Sequence, residues 1–460
     1  MNFNSPNPRS RARPYKGKIG VGQMDITPLS GINNKNWGAA SQFTSMGIHK
    51  PLYVTCITFQ SFNSDKPLIL ISADLGWWKN MEDEWYVRNY VLENLNLDPS
   101  QLMICLTHTH AGPNLNREDK DKPGGHLIEP YLDQIRSACV ELIEGCFLEQ
   151  KTGVLTWEYG KCNLAKNRDL FDRENNRYLV GFNPEMKADD TLLVGRITDE
   201  KGNIFASIVN YACHPTTLGW ENSKISPDYL GSFREIMEPS TGCPCLFIQG
   251  ASGDLAPAEQ YTGSLSIADK HGRQLAYSCL AVLESMLPPE EELVLDKIVE
   301  SGAPLAVWKN GKMTTNTNSA SEIIEVEVEL KPLPTIEELL EETKNCDDPV
   351  LNERLVRKLG VRKSVGNGTT TKIPVWVWRL SDCILLGQPN EAYSVFQQTI
   401  RERFDSLPII IGNVVNGHIG YLPPEKLYGE NIYSVWQTPY EKGAHEIIVS
   451  SILNKLKTIT

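Results

Sequence analysis

The sequence lacks two features that would place it at a membrane or on a nucleic acid. None of its apolar runs approaches the roughly 18 to 20 residues that a membrane-spanning helix needs. Its 45 lysines and arginines are outnumbered by 57 acidic residues, which gives a net charge of −12 at pH 7. A negatively charged chain is repelled by phosphate backbones and anionic lipid headgroups. We therefore expect no transmembrane segment and no nucleic acid partner.

Several common catalytic motifs are also missing. Neither a G-x-x-x-x-G-K-[ST] phosphate loop nor a G-x-G-x-x-G turn before a helix is present, so nothing indicates a nucleotide cofactor. The segment Gly250-Ala251-Ser252-Gly253 reads G-A-S-G and lacks the outer glycines of a G-x-S-x-G nucleophile elbow. These absences disfavour a nucleotide-dependent enzyme and a serine hydrolase.

The amino terminus and the cysteines indicate a reducing compartment. Residues 1–18 are rich in Asn, Pro, Ser and Arg and have no apolar segment of the kind that a secretory signal contains. Eleven cysteines are an odd number, and several lie inside apolar runs, where a thiol behaves as a small core residue. Cys243 and Cys245 have no second cysteine pair nearby, which disfavours a structural zinc site there. We predict a cytoplasmic protein with a flexible tail at 1–17.

What the sequence does contain is an alternation of strand-like and helix-like segments. Apolar and β-branched runs predict strands at Ile19–Ile26, Leu52–Phe59, Leu68–Ser72, Leu102–Leu106, Leu192–Ile197, Ile204–Tyr211, Cys245–Gln249, Val375–Trp378, Cys383–Leu386 and Ile409–Val415. Helical patterns cover Met81–Leu95, Tyr131–Cys146, Ile267–Met286 and Ala392–Phe404. This predicts an α/β fold with mixed sheets flanked by helices, in one large catalytic domain at 18–460. An acidic, helix-prone stretch followed by a Gly/Thr-rich one predicts a helical insertion with a mobile loop at 332–372.

Polar and glycine-rich residues follow several of these strands directly. His108 and His110 come after one predicted strand, and His214 comes after another. Ligands bind beyond the carboxyl ends of strands in open α/β sheets, so these side chains are expected to converge on one crevice. Three histidines with a downstream carboxylate, Glu391, supply the nitrogen and oxygen ligands that zinc takes.

Each of these residues also has a structural interpretation. The histidine pair is equally typical of hydrogen-bonded side chains at a strand end, and Glu391 could serve only to cap the start of a helix. Tyr421, which follows a glycine-bearing loop, is either an oxygen ligand, a hydrogen-bond donor or simply packed. His271 is predicted to lie on an exposed helix face and to be solvated.

The segments that contain these residues are similar to the neutral/alkaline non-lysosomal ceramidase family. The resemblance is carried by G-V-G-Q-M-D-I-T-P at 20–28, T-H-T-H-A-G-P at 107–113, N-Y-A-C-H-P-T at 210–216 and G-D-L-A-P at 253–257. It extends from about residue 18 to the end and implies the N-terminal catalytic domain type of that family. Members hydrolyse the amide bond of ceramide with a zinc ion.

The resemblance implies roles for eight residues. It implies zinc ligation by His108, His214, Glu391 and Tyr421, with His110 supporting the ligands or accepting a proton from the attacking water. It places Asp254 in the glycine-aspartate loop, and Arg168 and Tyr440 near the substrate carbonyl. Ala256 and Ala258 stand where the family has a serine and an asparagine, so a mechanism that requires that hydroxyl is excluded.

The expected function is zinc-dependent cleavage of an amide bond in a ceramide-like or other N-acyl small molecule, within lipid metabolism. Two further departures from the family are a missing secretion signal and no room for a C-terminal immunoglobulin-like domain after Tyr440-Glu441, which together suggest an intracellular amidase. The alternatives are an ester, a lactam or a small metabolite amide as substrate, or a homologue that binds an acylated ligand without cleaving it.

Overall fold

Two β-sheets packed face to face occupy the centre of the protein, in a computed structural model that describes residues 12–459 except for the side chains of residues 349 and 350. The strands are β1 (Tyr15–Asp25), β2 (Tyr53–Gln60), β3 (Leu68–Ala73), β4 (Leu102–Leu106), β5 (Lys151–Lys161), β6 (Ala165–Asn167), β7 (Asp169–Asp172), β8 (Arg177–Val180), β9 (Thr191–Thr198), β10 (Ile204–Tyr211), β11 (Cys245–Gln249), β12 (Leu255–Pro257), β13 (Glu291–Glu300), β14 (Pro304–Lys312), β15 (Ser319–Glu329), β16 (Thr370–Leu380), β17 (Cys383–Gly387), β18 (Asn390–Ala392), β19 (Ile409–Gly412) and β20 (Gly420–Leu422). The helices are α1 (Met81–Asn94), α2 (Ile128–Leu148), α3 (Leu230–Thr241), α4 (Leu265–Ser285), α5 (Ile336–Lys344), α6 (Pro349–Val365), α7 (Ser394–Arg403), α8 (Tyr433–Gln437) and α9 (Ala444–Ile459).

The layers follow from which faces are apolar. The larger sheet has eight strands in the order β11-β10-β9-β5-β1-β2-β3-β4, and the smaller has four in the order β15-β16-β17-β19. Side chains from both sheets, such as Leu70 and Met103 from the larger and Trp378 and Leu385 from the smaller, share one core. Helices α1 and α2 with α3 and α4 cover the outer face of the larger sheet, and α7 and α9 cover that of the smaller. The architecture is therefore α/β/β/α.

The strands that carry the polar segments are short and buried on both faces. Strands β4, β11 and β17 are fully buried and read as continuous apolar runs, as strands enclosed between two layers do. Pairing is parallel for β3 with β4, β10 with β11 and β17 with β19, and antiparallel through the middle of the larger sheet. The predicted α/β class with mixed sheets is confirmed.

Two asparagine side chains fasten the sheets together near the site. Asn416, after β19, accepts a hydrogen bond from the Ile104 amide at 2.8 Å and donates one to the Leu102 carbonyl at 2.8 Å, so it covers the edge of β4. Asn210 of β10 donates to the Ile411 carbonyl at 2.9 Å and accepts from the Ile411 amide at 3.1 Å. These contacts bring the ends of β4, β10 and β19 to one region.

The structure changes the expected boundaries at several places. Strand β1 begins at Tyr15, which is buried and pairs with Leu155, so residues 15–17 of the predicted tail are part of a sheet; residues 1–11 of that tail lie outside the described part of the chain. The predicted insertion contains helices α5 and α6, but its last residues, from Thr370, begin β16. None of the described helices combines the length and the apolar character that crossing a bilayer requires.

His271 is buried, contrary to the expectation that it is solvated. It lies on the inner face of α4 with 3% of its surface exposed, and its Nδ1 lies 3.1 Å from Thr217 Oγ1. Burial lowers the pKa of His271 to about 4. The apolar spacing of α4 did not reveal this, because the loop that contains Thr217 comes from a distant part of the chain.

This shift predicts a pH-dependent stability. Between about pH 4 and 6.5 the unfolded state binds a proton at His271 that the folded state does not. The contribution of His271 to the free energy of unfolding is therefore fully present above pH 6.5 and is lost as the pH falls through this window. Replacing His271 with glutamine is expected to reduce the slope of unfolding free energy against pH by up to about 1.4 kcal/mol per pH unit. Urea unfolding from pH 4.5 to 7 measures it, with the exposed His126→Gln as control. Identical slopes for wild type and His271→Gln would refute the assignment.

Candidate metal centre

His108 is held in an unusual backbone conformation directly after β4. Its φ of 69° is in the left-handed region, which side chains other than glycine rarely adopt and which recurs at functional sites. The His108 amide donates to the Leu75 carbonyl at 2.9 Å, and its Nδ1 donates to the Gly76 carbonyl at 3.2 Å. These two bonds turn His108 Nε2 away from the strand.

His214 is fixed in the same manner after β10. Its amide donates to the Leu255 carbonyl at 3.0 Å, and its Nδ1 donates to the Ser252 carbonyl at 2.7 Å. His214 Nε2 then lies 3.2 Å from His108 Nε2. Burial, followed by the charge of Arg168, lowers the pKa of His214 to about 3, so its ring is neutral at pH 7.

Glu391 reaches the two imidazoles from a short strand, not from the helix start that the sequence predicts. It lies in β18, which pairs in parallel with β20 so that Glu391 and Tyr421 are register partners, and α7 begins three residues later at Ser394. Glu391 Oε2 lies 2.9 Å from His214 Nε2 and 3.5 Å from His108 Nε2. The strand pair therefore sets Glu391 and Tyr421 side by side.

A third histidine contact orients this carboxylate. His418 Nε2 lies 2.9 Å from Glu391 Oε1, the oxygen that faces away from His214. Burial opposes ionisation of Glu391, but its interactions with His108, His214 and His418 hold its pKa well below the usual range. His418 was missed in the sequence analysis, where only its position after a predicted strand, in Asn416-Gly417-His418, could have indicated it.

The three facing atoms fit a bound cation. Because both Nδ1 atoms donate to carbonyls, a neutral His108 or His214 has no proton on Nε2, and an ionised Glu391 has none on Oε2. Three lone-pair-bearing atoms 2.9 to 3.5 Å apart repel one another unless a positive charge lies between them. Backbone carbonyls that accept from the far nitrogen are also the usual supports of metal-bound histidines. Nitrogen and carboxylate donors of this kind suit zinc.

His110 is the third imidazole at this point. The ligand atoms of His108, His110 and His214 all lie within 4.8 Å of one another. Both ring nitrogens of His110 are buried without a hydrogen-bond partner, and its ring packs between Trp37 and Trp77 with centroid distances of 5.0 and 4.7 Å. Burial, and then His108, lowers the pKa of His110 well below its usual value, so the ring is neutral and can accept a proton.

Arg168 and Tyr421 are the other two side chains close to Glu391 that the resemblance assigns to the site. Arg168 Nη2 donates to the Tyr421 hydroxyl at 2.9 Å, and the guanidinium is anchored by two bonds to the Gly253 carbonyl. The Tyr421 hydroxyl also interacts with the Glu391 carboxylate. Arg168 therefore brings a buried positive charge to the candidate metal centre.

Asp254 is a positioning residue that touches none of the imidazoles. Its carboxylate accepts hydrogen bonds from the Ser394 amide at 2.6 Å and the Ser394 hydroxyl at 2.8 Å, at the first residue of α7. Its backbone carbonyl accepts from the Arg168 amide at 2.9 Å. Asp254 thus ties the segment after β18 to Arg168, which lies between β6 and β7. Ala256, two residues further on, lies buried in β12 opposite Lys166.

Tyr440, which the resemblance places near the substrate carbonyl, is bonded to the residue that precedes Glu391. It is fully buried in the core of the smaller sheet, and its hydroxyl donates to Asn390 Oδ1 at 2.5 Å. Tyr433, which the sequence analysis did not single out, lines the cavity beside the site and packs edge-on against Tyr421 with ring centroids 5.5 Å apart. The side chain in the cavity wall is therefore Tyr433, at the start of α8.

A cavity of about 510 Å³ opens onto these residues. Its wall includes Trp77, Lys79, His110, Glu391, His418, Tyr421 and Tyr433. Helix α6 forms one side of it: Arg357 donates to the Tyr433 hydroxyl at 2.8 Å, and Lys363 pairs with Glu118 at 2.5 Å. A Cβ atom at Gly360 would lie 2.8 Å from the Lys79 carbonyl, so glycine permits this close approach. The volume is within the range of about 300 to 1,000 Å³ used by small ligands.

The fold and the site together define an α/β/β/α protein with a buried histidine and carboxylate cluster at its strand ends. No protein-family model matches the chain. Neutral ceramidase of Pseudomonas aeruginosa is 25% identical over 264 residues, which cover 54% of this chain and 38% of that protein. Neutral ceramidase B of Dictyostelium discoideum is 24% identical over 260 residues, which cover 52% of this chain and 35% of that protein. The matched segments thus span less than two fifths of either relative.

Solved structures show the same fold over nearly the whole chain. The crystal structure of neutral ceramidase from Pseudomonas aeruginosa covers 96% of this chain with a TM-score of 0.69 at 18% identity, and 73% of that chain is matched. A ceramidase complexed with C2 covers 96% with a TM-score of 0.66 at 17% identity, and 74% of that chain is matched. This chain is related to the neutral ceramidase family.

Proposed function

We propose that this protein is a zinc-dependent hydrolase that cleaves the amide bond of an N-acylated small molecule. The observation that carries the proposal is the convergence of His108 Nε2, His214 Nε2 and Glu391 Oε2 within 3.5 Å of one another. The names of its relatives support the choice of an amide substrate, because a ceramide is an N-acyl compound.

His108, His214 and Glu391 would hold the zinc ion, and Tyr421 is placed to join them. A bound zinc ion supplies a Lewis acid for the carbonyl and lowers the pKa of water at the site towards about 7. The protein contributes the rigid placement of the ligands: the Gly76 and Ser252 carbonyls fix the tautomers of the two histidines, and His418 fixes the carboxylate.

Proton transfer is assigned to His110. Its two unpartnered nitrogens and its neutral ring make it the available base next to the metal ligands, and its position in the cavity wall lets it meet a substrate. After accepting a proton from water, the imidazolium can return it to the leaving amine. Trp37 and Trp77 keep the ring in place on both sides.

Arg168 supports the negative charge that develops on the carbonyl oxygen. It acts through the Tyr421 hydroxyl, to which it donates a hydrogen bond. Two further hydrogen bonds to the Gly253 carbonyl hold the guanidinium in place. Donors already oriented towards a developing oxyanion need no reorganisation during the reaction.

A cytoplasmic location remains a prediction. All eleven cysteines lie in the described part of the chain and are unpaired there.

Metal removal tests the proposed function. A panel of N-acyl amides that includes ceramide, with matched esters and lactams, is incubated with the zinc-loaded protein and analysed by mass spectrometry. We expect at least one linear amide to be hydrolysed, the activity to fall to the buffer level after chelation, and zinc to restore it. Activity that persists without metal would refute the zinc-dependent mechanism. Ligand binding with no hydrolysis of any substrate would instead favour the non-catalytic homologue.

A further inference from the structure

Lys79 is a cation in the cavity wall that the proposed reaction does not use. It lies in the segment between β3 and α1, half-buried, with its exposed part facing the cavity. Its Nζ lies 3.3 Å from the centroid of the Trp77 ring, and the His110 ring packs against the same Trp77 ring with a centroid distance of 4.7 Å. One aromatic side chain therefore separates this amine from the reacting groups.

Most other cations of the cavity wall are neutralised by carboxylates. Lys122 pairs with Asp119 at 2.8 Å, Lys363 with Glu118 at 2.5 Å and Arg357 with Glu353 at 2.9 Å. Among the described residues, no carboxylate lies within 4.0 Å of Lys79 Nζ. Lys35, also in the wall, packs over the Phe43 ring at 4.2 Å. Lys79, the cavity-wall cation beside Trp77, is thus available to attract an anion.

The hydrogen bonds of Lys79 leave one direction open. An ammonium group has three donors. One bonds Asn36 Oδ1 at 3.0 Å, and the Trp77 face takes up a second side. Asn36 cannot turn away, because its Nδ2 donates to the Gly112 carbonyl at 2.9 Å. A ligand acceptor in the cavity would complete the set.

Burial makes such a ligand favourable. Burial, followed by the charge of Arg357, lowers the pKa of Lys79 to about 7 against the opposing effects of Glu353, Asp119 and Glu391. A buried ammonium without a partner is costly, and a carboxylate that pairs with it removes that cost. The rest of the wall suits a polar ligand as well, since six asparagines line the cavity.

We propose that Lys79 is the specificity-determining residue of this cavity and binds a carboxylate of the substrate. The substrate class that follows is an N-acyl amino acid or a similar amide with a carboxylate close to the scissile bond, in place of a neutral N-acyl sphingoid base. That the substrate is an amide rests on the proposed function. That Lys79 binds a carboxylate is inferred from the cavity alone.

Two pairs of compounds test it on the zinc-loaded protein. The first pair is N-hexanoylglycine and N-hexanoylglycinamide, which differ only in the charge of the terminal group and report kcat/KM. The second pair replaces the amide NH of each with CH2, which gives ketones that cannot be hydrolysed and report binding by calorimetry. Lys79→Met removes the charge, and Lys122→Met removes one that Asp119 already neutralises.

The wild type is expected to bind the ketone acid at least about 10-fold more tightly than the ketone amide, as a charge-assisted hydrogen bond provides. Lys79→Met should bring this ratio close to one, and Lys122→Met should leave it unchanged. Equal binding of acid and amide by the wild type, or an unchanged ratio in Lys79→Met, would overturn the proposal. Lys79→Gln serves if the Met variant does not fold. A ratio that behaves as expected with no cleavage of either amide supports the subsite and contradicts only the proposed function.

Discussion

Replacing His214 with alanine is expected to remove bound zinc and amide hydrolysis together. His214 contributes the central contact of the cluster, since its Nε2 faces both His108 Nε2 and Glu391 Oε2. Without it, only His108 Nε2 and Glu391 Oε2 remain of the three atoms that converge. Zinc content by mass spectrometry of the purified protein and turnover of the best amide from the panel measure the two effects.

His110→Ala is the matched comparison. The metal could be held by His108, His214 and Glu391 or by the three histidines His108, His110 and His214, and only the second set contains His110. If His110 is the base and not a ligand, its variant keeps its zinc while turnover falls by about 10² to 10⁴-fold. Loss of zinc from His110→Ala would assign the metal to the three histidines instead. Full turnover of a zinc-free His214→Ala protein would disprove the metal mechanism altogether.

Replacing Arg234 with methionine is expected to destabilise the protein by about 3 to 5 kcal/mol. Arg234 Nη1 and Nη2 donate to the two oxygens of Asp74 at 2.8 and 3.0 Å, and Asp74 is fully buried. The variant leaves that carboxylate without its counter-charge, although the Tyr53 amide still donates to it. Urea unfolding measures the change in free energy.

The same substitution should also weaken zinc retention. Asp74 begins the segment whose next two residues, Leu75 and Gly76, accept the hydrogen bonds that orient His108. The control is Lys161→Met, because the Lys161 side chain is 75% exposed and its pair with Asp190 should contribute less than about 1 kcal/mol. A double variant with Asp74→Leu and Arg234→Met should recover part of the lost stability. If Arg234→Met costs no more than Lys161→Met, the ion pair does not have this role.

The expected strands show how far the sequence reaches. Runs such as Leu102–Leu106 and Cys245–Gln249 are too short and too continuously apolar for amphipathic helices, and the structure has them as buried strands. Glu391 shows the limit. Its neighbours resemble a helix start, yet Asn390–Ala392 pairs with Gly420–Leu422, a partner that local periodicity cannot indicate.

The residues that the sequence analysis missed have a common physical cause. His418, Tyr433 and Lys79 lie near the site only because loops after different strands, and helix α6, meet there. Tyr440 was assigned from a short motif, which could not indicate that its hydroxyl bonds Asn390. Spacing along the chain reports which face a side chain occupies, and it carries no information about which distant segment lies opposite.

The sequence by itself determined the α/β class, most strands and helices, and the positions of polar groups at strand ends, since these depend on local patterns of apolar and polar residues. Only the tertiary structure decided that His108, His214 and Glu391 face one point, that His271 is buried, and that Lys79 lines the cavity with no ion-pair partner among the described residues. Those arrangements depend on how two sheets pack and which loops they bring together, and no short stretch of the chain encodes that.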